Sequence, residues 1–258
     1  MYPIVIITNG FEIPTYLLIN SLAFCLGITW IFIRASRLRM NVREALDVCL
    51  VSMIGGITGA RLFHVVFEHP EIYRAHPEMI YKVWYGGFVF YGGLAGAVIF
   101  SFIYCRLKKI SSLIYGDLFA PVLALGYTLG RLGCFAAGCC FGKPTTLPWA
   151  VHFPIGVEAP AYIGLHPTQL YSSIWSLLVL AILISYEKAN RWPLPGQMFG
   201  WWLVLQSIGR IFIEQFRDDF RGRSVFNLSI STWLSAVALV IGLKLILRAK
   251  KQNAPTTI

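Results

Sequence analysis

LIYGDLFAPVLALGYTLGRLG, residues 113–133, is long and apolar enough to cross a bilayer, yet it holds Asp117 and Arg131. About 20 helical residues match a hydrocarbon core about 30 Å thick. A charge inside such a stretch costs about 2.5–3.5 kcal/mol on insertion scales, so it stands there for a structural or a functional reason. The run continues into GCFAAGCCFG (133–142), which places Cys134, Cys139 and Cys140 just beyond the guanidinium. What needs an arginine there, and whether the thiols share its task, depends on what the rest of the chain is.

Six further apolar runs accompany it, at about 13–33, 46–66, 87–105, 168–186, 197–215 and 228–247. The chain has 258 residues, 57% hydrophobic and only 13% charged, where a soluble domain usually carries about a quarter charged residues. The expected fold is an all-α membrane protein of about seven transmembrane helices, forming a single integral membrane domain over residues 1–258. The first run lacks a basic n-region and a small-residue cleavage site, so it reads as a retained span and not a signal peptide. The formal charge of +10 does not indicate a nucleic-acid partner, because the basic residues cluster in short loops. Arg34, Arg37, Arg39 and Arg43 follow run one; Arg106, Lys108 and Lys109 follow run three; Lys188 and Arg191 follow run five; Arg248, Lys250 and Lys251 follow run seven. The positive-inside rule makes all four cytoplasmic, which puts the N-terminus outside and the C-terminus inside.

The other connections are more elaborate. Residues 67–86 mix charge with Trp84, Tyr73, Tyr81 and Tyr85 and read as an outer interfacial segment. Residues 138–167 are rich in glycine and proline and read as a small outer loop or head, and 216–227 form a short charged connection. No internal repeat or low-complexity segment is present, so a repeat-built transporter is not favoured.

Besides Asp117 and Arg131 in run four, three more charges stand in or beside apolar runs: Arg61 in GGITGARLFHVVF, and Arg210 and Glu214 in SIGRIFIEQF. Arg210 and Glu214 are four apart on one helix face and are expected to pair. Arginines near helix ends can snorkel to headgroups. Three of them on different helices, each beside small residues, point instead to recognition of an anionic lipid headgroup, since arginine binds phosphate bidentately and stays charged when desolvated. GGITGA (55–60) and YGGLAG (91–96) are small-residue faces suited to close helix packing, and Tyr91 brings a hydroxyl to the second of them. His64, His69 and His76 read as interfacial histidines, and Asp117 as a residue that orients a basic group or caps a packing contact.

Taken together, GGITGARLF, VWYGGFVFYGGLAG, DLFAPVLALGYTLGRLGCF, HPTQLY (166–171) and GRIFIEQFR (209–217) resemble the prolipoprotein diacylglyceryl transferase family, in the family's order and over roughly residues 50–220. The resemblance implies a transferase of the bacterial inner (cytoplasmic) membrane. Its reaction moves the diacylglyceryl group of phosphatidylglycerol onto the lipobox cysteine thiol of a prolipoprotein, forms a thioether and releases glycerol phosphate, with the active site toward the outer side. This is the first step of lipoprotein maturation. It implies phosphatidylglycerol, a prolipoprotein signal peptide and membrane lipid as partners, and requires no cofactor and no metal. It assigns catalytic roles to Arg131, Arg210, Glu214 and Tyr91, the last falling where the family has histidine-glycine-glycine. It assigns substrate contacts to Gly92, Gly93, Arg61, His166, Gln169, Lys143, Cys134 and Cys139.

The chain departs from the family pattern at proton-handling positions. Tyr91 stands for a histidine, Cys134 for an asparagine, Cys139 for a glutamate and Ser172 for another glutamate. Tyrosine has an ordinary pKa of about 10 and is a poor base at neutral pH. The thiols have several readings: packing residues, a disulfide on the oxidising outer side, a covalent carrier of the lipid group, or a zinc site with His152 or His166 that no paired C-x-x-C spacing supports. The departures also fit a paralogous transferase with a different acceptor or lipid, or a lipid-binding membrane protein without catalysis.

Overall fold

The computed structural model describes residues 4–7, 11–190, 194–218 and 228–252. Arg191 of the third basic cluster and residues 219–227 of the last outer connection lie outside the described residues, as do the side chains of Lys250 and Lys251. The chain opens with a two-stranded antiparallel hairpin, β1 (Ile4–Ile7) and β2 (Phe11–Pro14), pairing Ile4 with Pro14 and Ile7 with Phe11. Eight α-helices follow among the described residues: α1 (Thr15–Arg37), α2 (Val42–Phe63), α3 (Pro70–Ala75), α4 (Phe90–Leu107), α5 (Ser112–Ala137), α6 (Thr168–Asn190), α7 (Gln197–Glu214) and α8 (Ile230–Gln252).

Helices stand at all seven positions where apolar runs predict them. Among the described residues six of them are long and apolar enough to cross a membrane: α1, α2 with its continuation to Glu68, α4, α5, α6 and α8 up to Ala249. The seventh expected span, α7, is an 18-residue helix that does not reach that level. Gln197, Gln206, Arg210 and Glu214 lower its mean hydropathy. The hairpin is a second departure from the all-α expectation. On α1, Leu17, Leu22, Phe24 and Phe32 are each more than half exposed. A contiguous apolar surface of this kind suits lipid and not water.

The chain forms two compact units, residues 31–115 and residues 1–30 with 116–258, whose boundaries fall within α1 and at the start of α5. In the first, α2 starts at Asn41, whose side chain accepts from the Glu44 amide at 3.3 Å, as an N-cap should. Glycines on α2 and α4 let the two backbones touch. A Cβ on Gly55 would sit 2.6 Å from the Gly96 carbonyl, and one on Gly92 2.5 Å from the Gly59 carbonyl. Polar pairs line the same helices, Ser52 with Ser101 at 2.6 Å and Tyr104 donating to Asp47 at 2.8 Å, and Tyr115 at the start of α5 donates to Glu44 of α2 at 2.6 Å.

In the second unit an apolar cluster of Ala120, Ala124, Val179, Leu183 and Met198 is packed beside a polar stripe, and small and polar residues at helix contacts suit a membrane. α6 buries Thr168, Gln169, Ser172, Ser173 and Ser176, one stripe at helical spacing. Ser173 and Ser176 donate to the α5 carbonyls of Thr128 and Ala124 at 3.1 and 2.9 Å. Trp175 donates from α6 to the Leu205 carbonyl of α7 at 2.9 Å. Asp117 caps α7 from α5, accepting the amides of Gly196 at 2.6 Å and Phe199 at 2.8 Å. A carboxylate in an apolar helix is stable there because two orphan donors and a positive helix end meet it.

Candidate active site

α5 ends at the thiols, and its termination brings them together. The Gly138 amide donates to the Phe135 carbonyl at 3.3 Å and the Cys139 amide to the Cys134 carbonyl at 3.2 Å. Gly138 has φ of 70°. This is a Schellman motif, which folds the second residue past the helix back over the last turn. Here those two positions are Cys139 and Cys134. Cys140 takes a left-handed φ of 62° and turns back to the same side. The three Sγ atoms lie within 4.8 Å of one another. Hydrogen bonds from Cys134 and Cys139, aided by Arg217 and Arg131, hold the Cys140 thiol well below its ordinary pKa, and hydrogen bonds with Cys134 and Cys140 push Cys139 the other way.

The loop carrying the thiols is anchored from behind by the start of α6. Gln169 Nε2 donates to the Cys139 carbonyl at 2.7 Å and Thr168 Oγ1 to the Cys140 carbonyl at 2.8 Å. The His166 carbonyl accepts the Gly142 amide at 3.1 Å, and the His166 ring contacts Tyr171 at 3.1 Å through Nδ1 and packs on Phe216. The Lys143 amide donates to the Phe216 carbonyl at 2.8 Å, which ties the loop to the chain leaving α7 while the Lys143 side chain stays exposed. Gly142 is required here, since a Cβ would stand 2.6 Å from both the His166 and the Phe216 carbonyl oxygens.

The arginines of this unit are supported in different ways. Arg131 lies over the Tyr127 ring, 4.8 Å from its centroid, and among the described residues no carboxylate is within ion-pair distance of it. Arg210 Nη2 meets Glu214 Oε2 at 3.0 Å and donates to Ser231 Oγ at 3.1 Å. The other carboxylate oxygen of Glu214 accepts from Ser229 at 2.6 Å and Ser231 at 2.8 Å. Arg210 Nη1 is buried and, among the described residues, has no hydrogen-bond partner. Arg210 also senses the charges of Arg217 and Arg131. Three guanidiniums, one carboxylate and a buried unsatisfied donor make a strongly positive site that an anion would complete.

Arg61, in the other unit, is engaged differently. It is 8% exposed. Its Nε donates to the Ile80 carbonyl at 3.2 Å, Nη1 to the carbonyls of Gly86 and of Gly87, the latter at 3.1 Å, and Nη2 to Met79 at 2.5 Å and Lys82 at 3.5 Å. A guanidinium has five N–H donors, and these contacts use them all. Gly86 and Gly87 have φ of 80° and 81°, the left-handed values that aim both carbonyls inward. Beside Arg61 lies a cavity of about 230 Å³ lined by His64, Tyr73 and Lys82 among others, in which His64 Nδ1 contacts the Tyr73 hydroxyl at 2.9 Å. The expected interfacial segment is thus folded onto Arg61. Tyr91 sits half-buried in the first turn of α4, its ring against Phe90, and Gly92 and Gly93 face the α2 backbone.

A profile described as prolipoprotein diacylglyceryl transferase matches residues 3–248. The chain belongs to this family. It is 35% identical over 244 residues to the phosphatidylglycerol–prolipoprotein diacylglyceryl transferase of Clostridium tetani, covering 94% of this chain and 96% of that one. The Thermotoga maritima transferase of the same name is 36% identical over 251 residues, 95% of this chain and 84% of the relative. The transferase of that name from Nostoc is 31% identical over 263 residues, covering 99% and 93%.

Within this family member, the residues singled out in the sequence divide between the two units. Arg131, Arg210, Glu214, Cys134, Cys139, His166, Gln169 and Lys143 stand in one; Arg61, Tyr91, Gly92 and Gly93 stand in the other. The Arg210–Glu214 pair is present as expected. Sequence reasoning missed Arg217, Tyr127, Ser229 and Ser231. Spacing offered a signal for one of them: Tyr127 precedes Arg131 by four, a pair on one helix face, whereas Arg217 lies beyond the end of α7.

Proposed function

We propose that this protein transfers the diacylglyceryl group of phosphatidylglycerol to the lipobox cysteine of a prolipoprotein and releases glycerol phosphate. The observation that carries the reading is Arg210 Nη1, a buried guanidinium donor without a partner among the described residues, beside Arg131 and Arg217. The acceptor thiolate attacks the glycerol carbon bearing the phosphate ester. The carbon–oxygen bond breaks, and its electrons leave with the phosphate. A singly charged diester thereby becomes a doubly charged monoester, so negative charge grows where Arg131 and Arg210 are placed to meet it. Glu214, held by Ser229 and Ser231, fixes the Arg210 fork. Tyr91 serves as a hydrogen-bond donor to the lipid headgroup, and Gly92 and Gly93 seat the helix turn that carries it.

His166 and Gln169 act as positioning residues for the loop 138–143, and Lys143 faces headgroups. Arg61, with every donor engaged on carbonyls, positions the segment 79–88. The chain forms one integral domain of the bacterial cytoplasmic membrane, N-terminus outside, with α7 completing a seven-helix array and the arginine site toward the outer face. The basic clusters between the apolar helices support that orientation.

A second reading, a paralogous transferase with another acceptor or lipid, is favoured by the altered proton-handling positions Tyr91, Cys134, Cys139 and Ser172. The test is a reconstituted assay with phosphatidylglycerol and a lipobox peptide, read by mass spectrometry for the diacylglyceryl thioether. Product from wild type supports the first reading. Product only with a different acceptor thiol or lipid supports the second, and lipid retention without any product leaves a binding protein.

A further inference from the structure

We infer that Cys134, Cys139 and Cys140 form a three-thiolate site for a soft divalent ion of the zinc class, with its fourth position available to the acceptor thiol. The second half of this inference rests on the transferase reading above.

The geometry fits before any ion is considered. In a tetrahedral site with zinc–sulfur bonds of about 2.3 Å, the sulfurs stand about 3.8 Å apart. The three Sγ atoms here already lie within 4.8 Å of one another. Their convergence is set by the backbone: the Schellman closure at Gly138 folds Cys139 over Cys134, and the left-handed Cys140 adds the third thiol. The loop is held from behind by Gln169 and Thr168, which are 1% and 0% exposed and bind the carbonyls of Cys139 and Cys140. Such outer support is what keeps metal ligands oriented. Sequence spacing alone argued against zinc because C-x-x-C pairs are absent; the helix cap supplies the convergence that a C-x-x-C turn supplies elsewhere.

Charge fits as well. Three thiolates and one divalent ion carry a net charge of minus one, and Arg131 and Arg217 act electrostatically on this cluster. The ligand count also carries information. Among the described residues no fourth histidine, cysteine or carboxylate joins the group. Structural zinc sites are closed by four protein ligands, whereas sites with three keep a position for water or substrate. In the other cluster with ligand spacing, His64 with Glu68 and His69, both ring nitrogens of His64 are engaged, by Tyr73 and by Glu68.

The ligand that suits the fourth position is a thiol. Binding the ion releases the protons of the three cysteines to water. An acceptor thiol then displaces water, gives its proton to solvent and is held as a metal-bound thiolate, the nucleophilic form. Sulfur attacks carbon, the phosphate leaves with the bond electrons, and the thioether, a weaker ligand, departs. No atom changes oxidation state. This would supply the activated nucleophile in a chain where tyrosine stands in place of the family's histidine.

The test uses the full-length protein, purified in detergent under reducing conditions, stripped with a chelator and titrated with cobalt(II) as a spectroscopic substitute for zinc. The expected result is one equivalent bound, with a sulfur-to-cobalt charge-transfer band that zinc displaces. Cys139→Ser should weaken binding by more than the roughly 100-fold that loss of an outer-shell partner reaches. Cys25→Ser should bind as wild type, and thermal unfolding checks that both variants are folded. A lipobox-cysteine peptide should intensify the band, and the same peptide with serine should not. Absence of cobalt binding, or a disulfide among the three cysteines of the reduced protein, overturns the site. Full thioether formation by the stripped protein, or a cysteine peptide without spectral effect, overturns the role of the fourth position. Failure of the transferase reading is separate: it would appear as no thioether from metal-loaded protein.

Discussion

Arg61 and Arg210 both lie near the end of an apolar helix, and the groups around them are opposite in kind. The hydrogen bonds of Arg61 among the described residues all go to backbone carbonyls, five of them from residues 79–87. Arg210 meets a carboxylate and a serine through Nη2 and leaves Nη1 buried without a partner among the described residues. A guanidinium whose donors are all engaged by the chain is a staple. A guanidinium clamped on one side and unsatisfied on the other is prepared for a ligand, because a buried donor without an acceptor costs about 1–3 kcal/mol until something fills it. Residue type and apolar context are the same in both places; the hydrogen bonds separate structure from function.

That contrast predicts different failures. Arg210→Ala should lower turnover by about 10²–10³-fold, the loss typical of one preorganised donor to a developing anion, while its unfolding midpoint moves by only a few degrees. A turnover loss below about tenfold would remove Arg210 from the phosphate site. Arg61→Ala should act mainly on stability. Stranding several carbonyls of a folded segment, at about 2–3 kcal/mol in total, corresponds to a midpoint about 5–10 °C lower. Its folded fraction should lose less activity than Arg210→Ala does. If the two variants exchange these signatures, the comparison is wrong.

The helices were legible and the staple was not, for physical reasons. Length and hydropathy mark a crossing helix locally, so α1, α2, α4, α5, α6 and α8 stand where apolar runs predict them. α7 was harder because the same Arg210 and Glu214 that suggest function dilute its apolar character. β1, four residues long, is too short to carry a periodic signal. The partners of Arg61 are carbonyls, which every residue has, and they lie 18 to 26 positions away. No side-chain pattern could announce them, although GG at 86–87 hints at a turn with left-handed φ. The convergence of the thiols was hidden for a related reason: spacings of five and one are uninformative until Gly138 is recognised as a helix terminator. Ser229 and Ser231 look like ordinary residues at the start of run seven until Glu214 is seen to accept from both.

Smaller effects refine the contrast. Gly55→Ala places a methyl 2.6 Å from the Gly96 carbonyl, and overpacking of this kind costs about 1–3 kcal/mol. The midpoint should fall with the cobalt-binding stoichiometry unchanged, since the thiols stand in the other unit. A lost stoichiometry would show that the two units do not fail separately. Asp117→Asn keeps the shape of the α7 cap but weakens one of its bonds and removes the charge at a helix N-terminus. About 1 kcal/mol or less is expected, measured as a shift of a few degrees with turnover retained within about twofold.

The most direct measurement is thioether formation from phosphatidylglycerol and a lipobox-cysteine peptide, compared between wild type and Arg210→Ala at matched folded fraction. Product from wild type that falls at least about a hundredfold in the variant is the predicted result. Equal product from both would contradict the central claim, because the buried donor of Arg210 would then have no part in stabilising the departing phosphate.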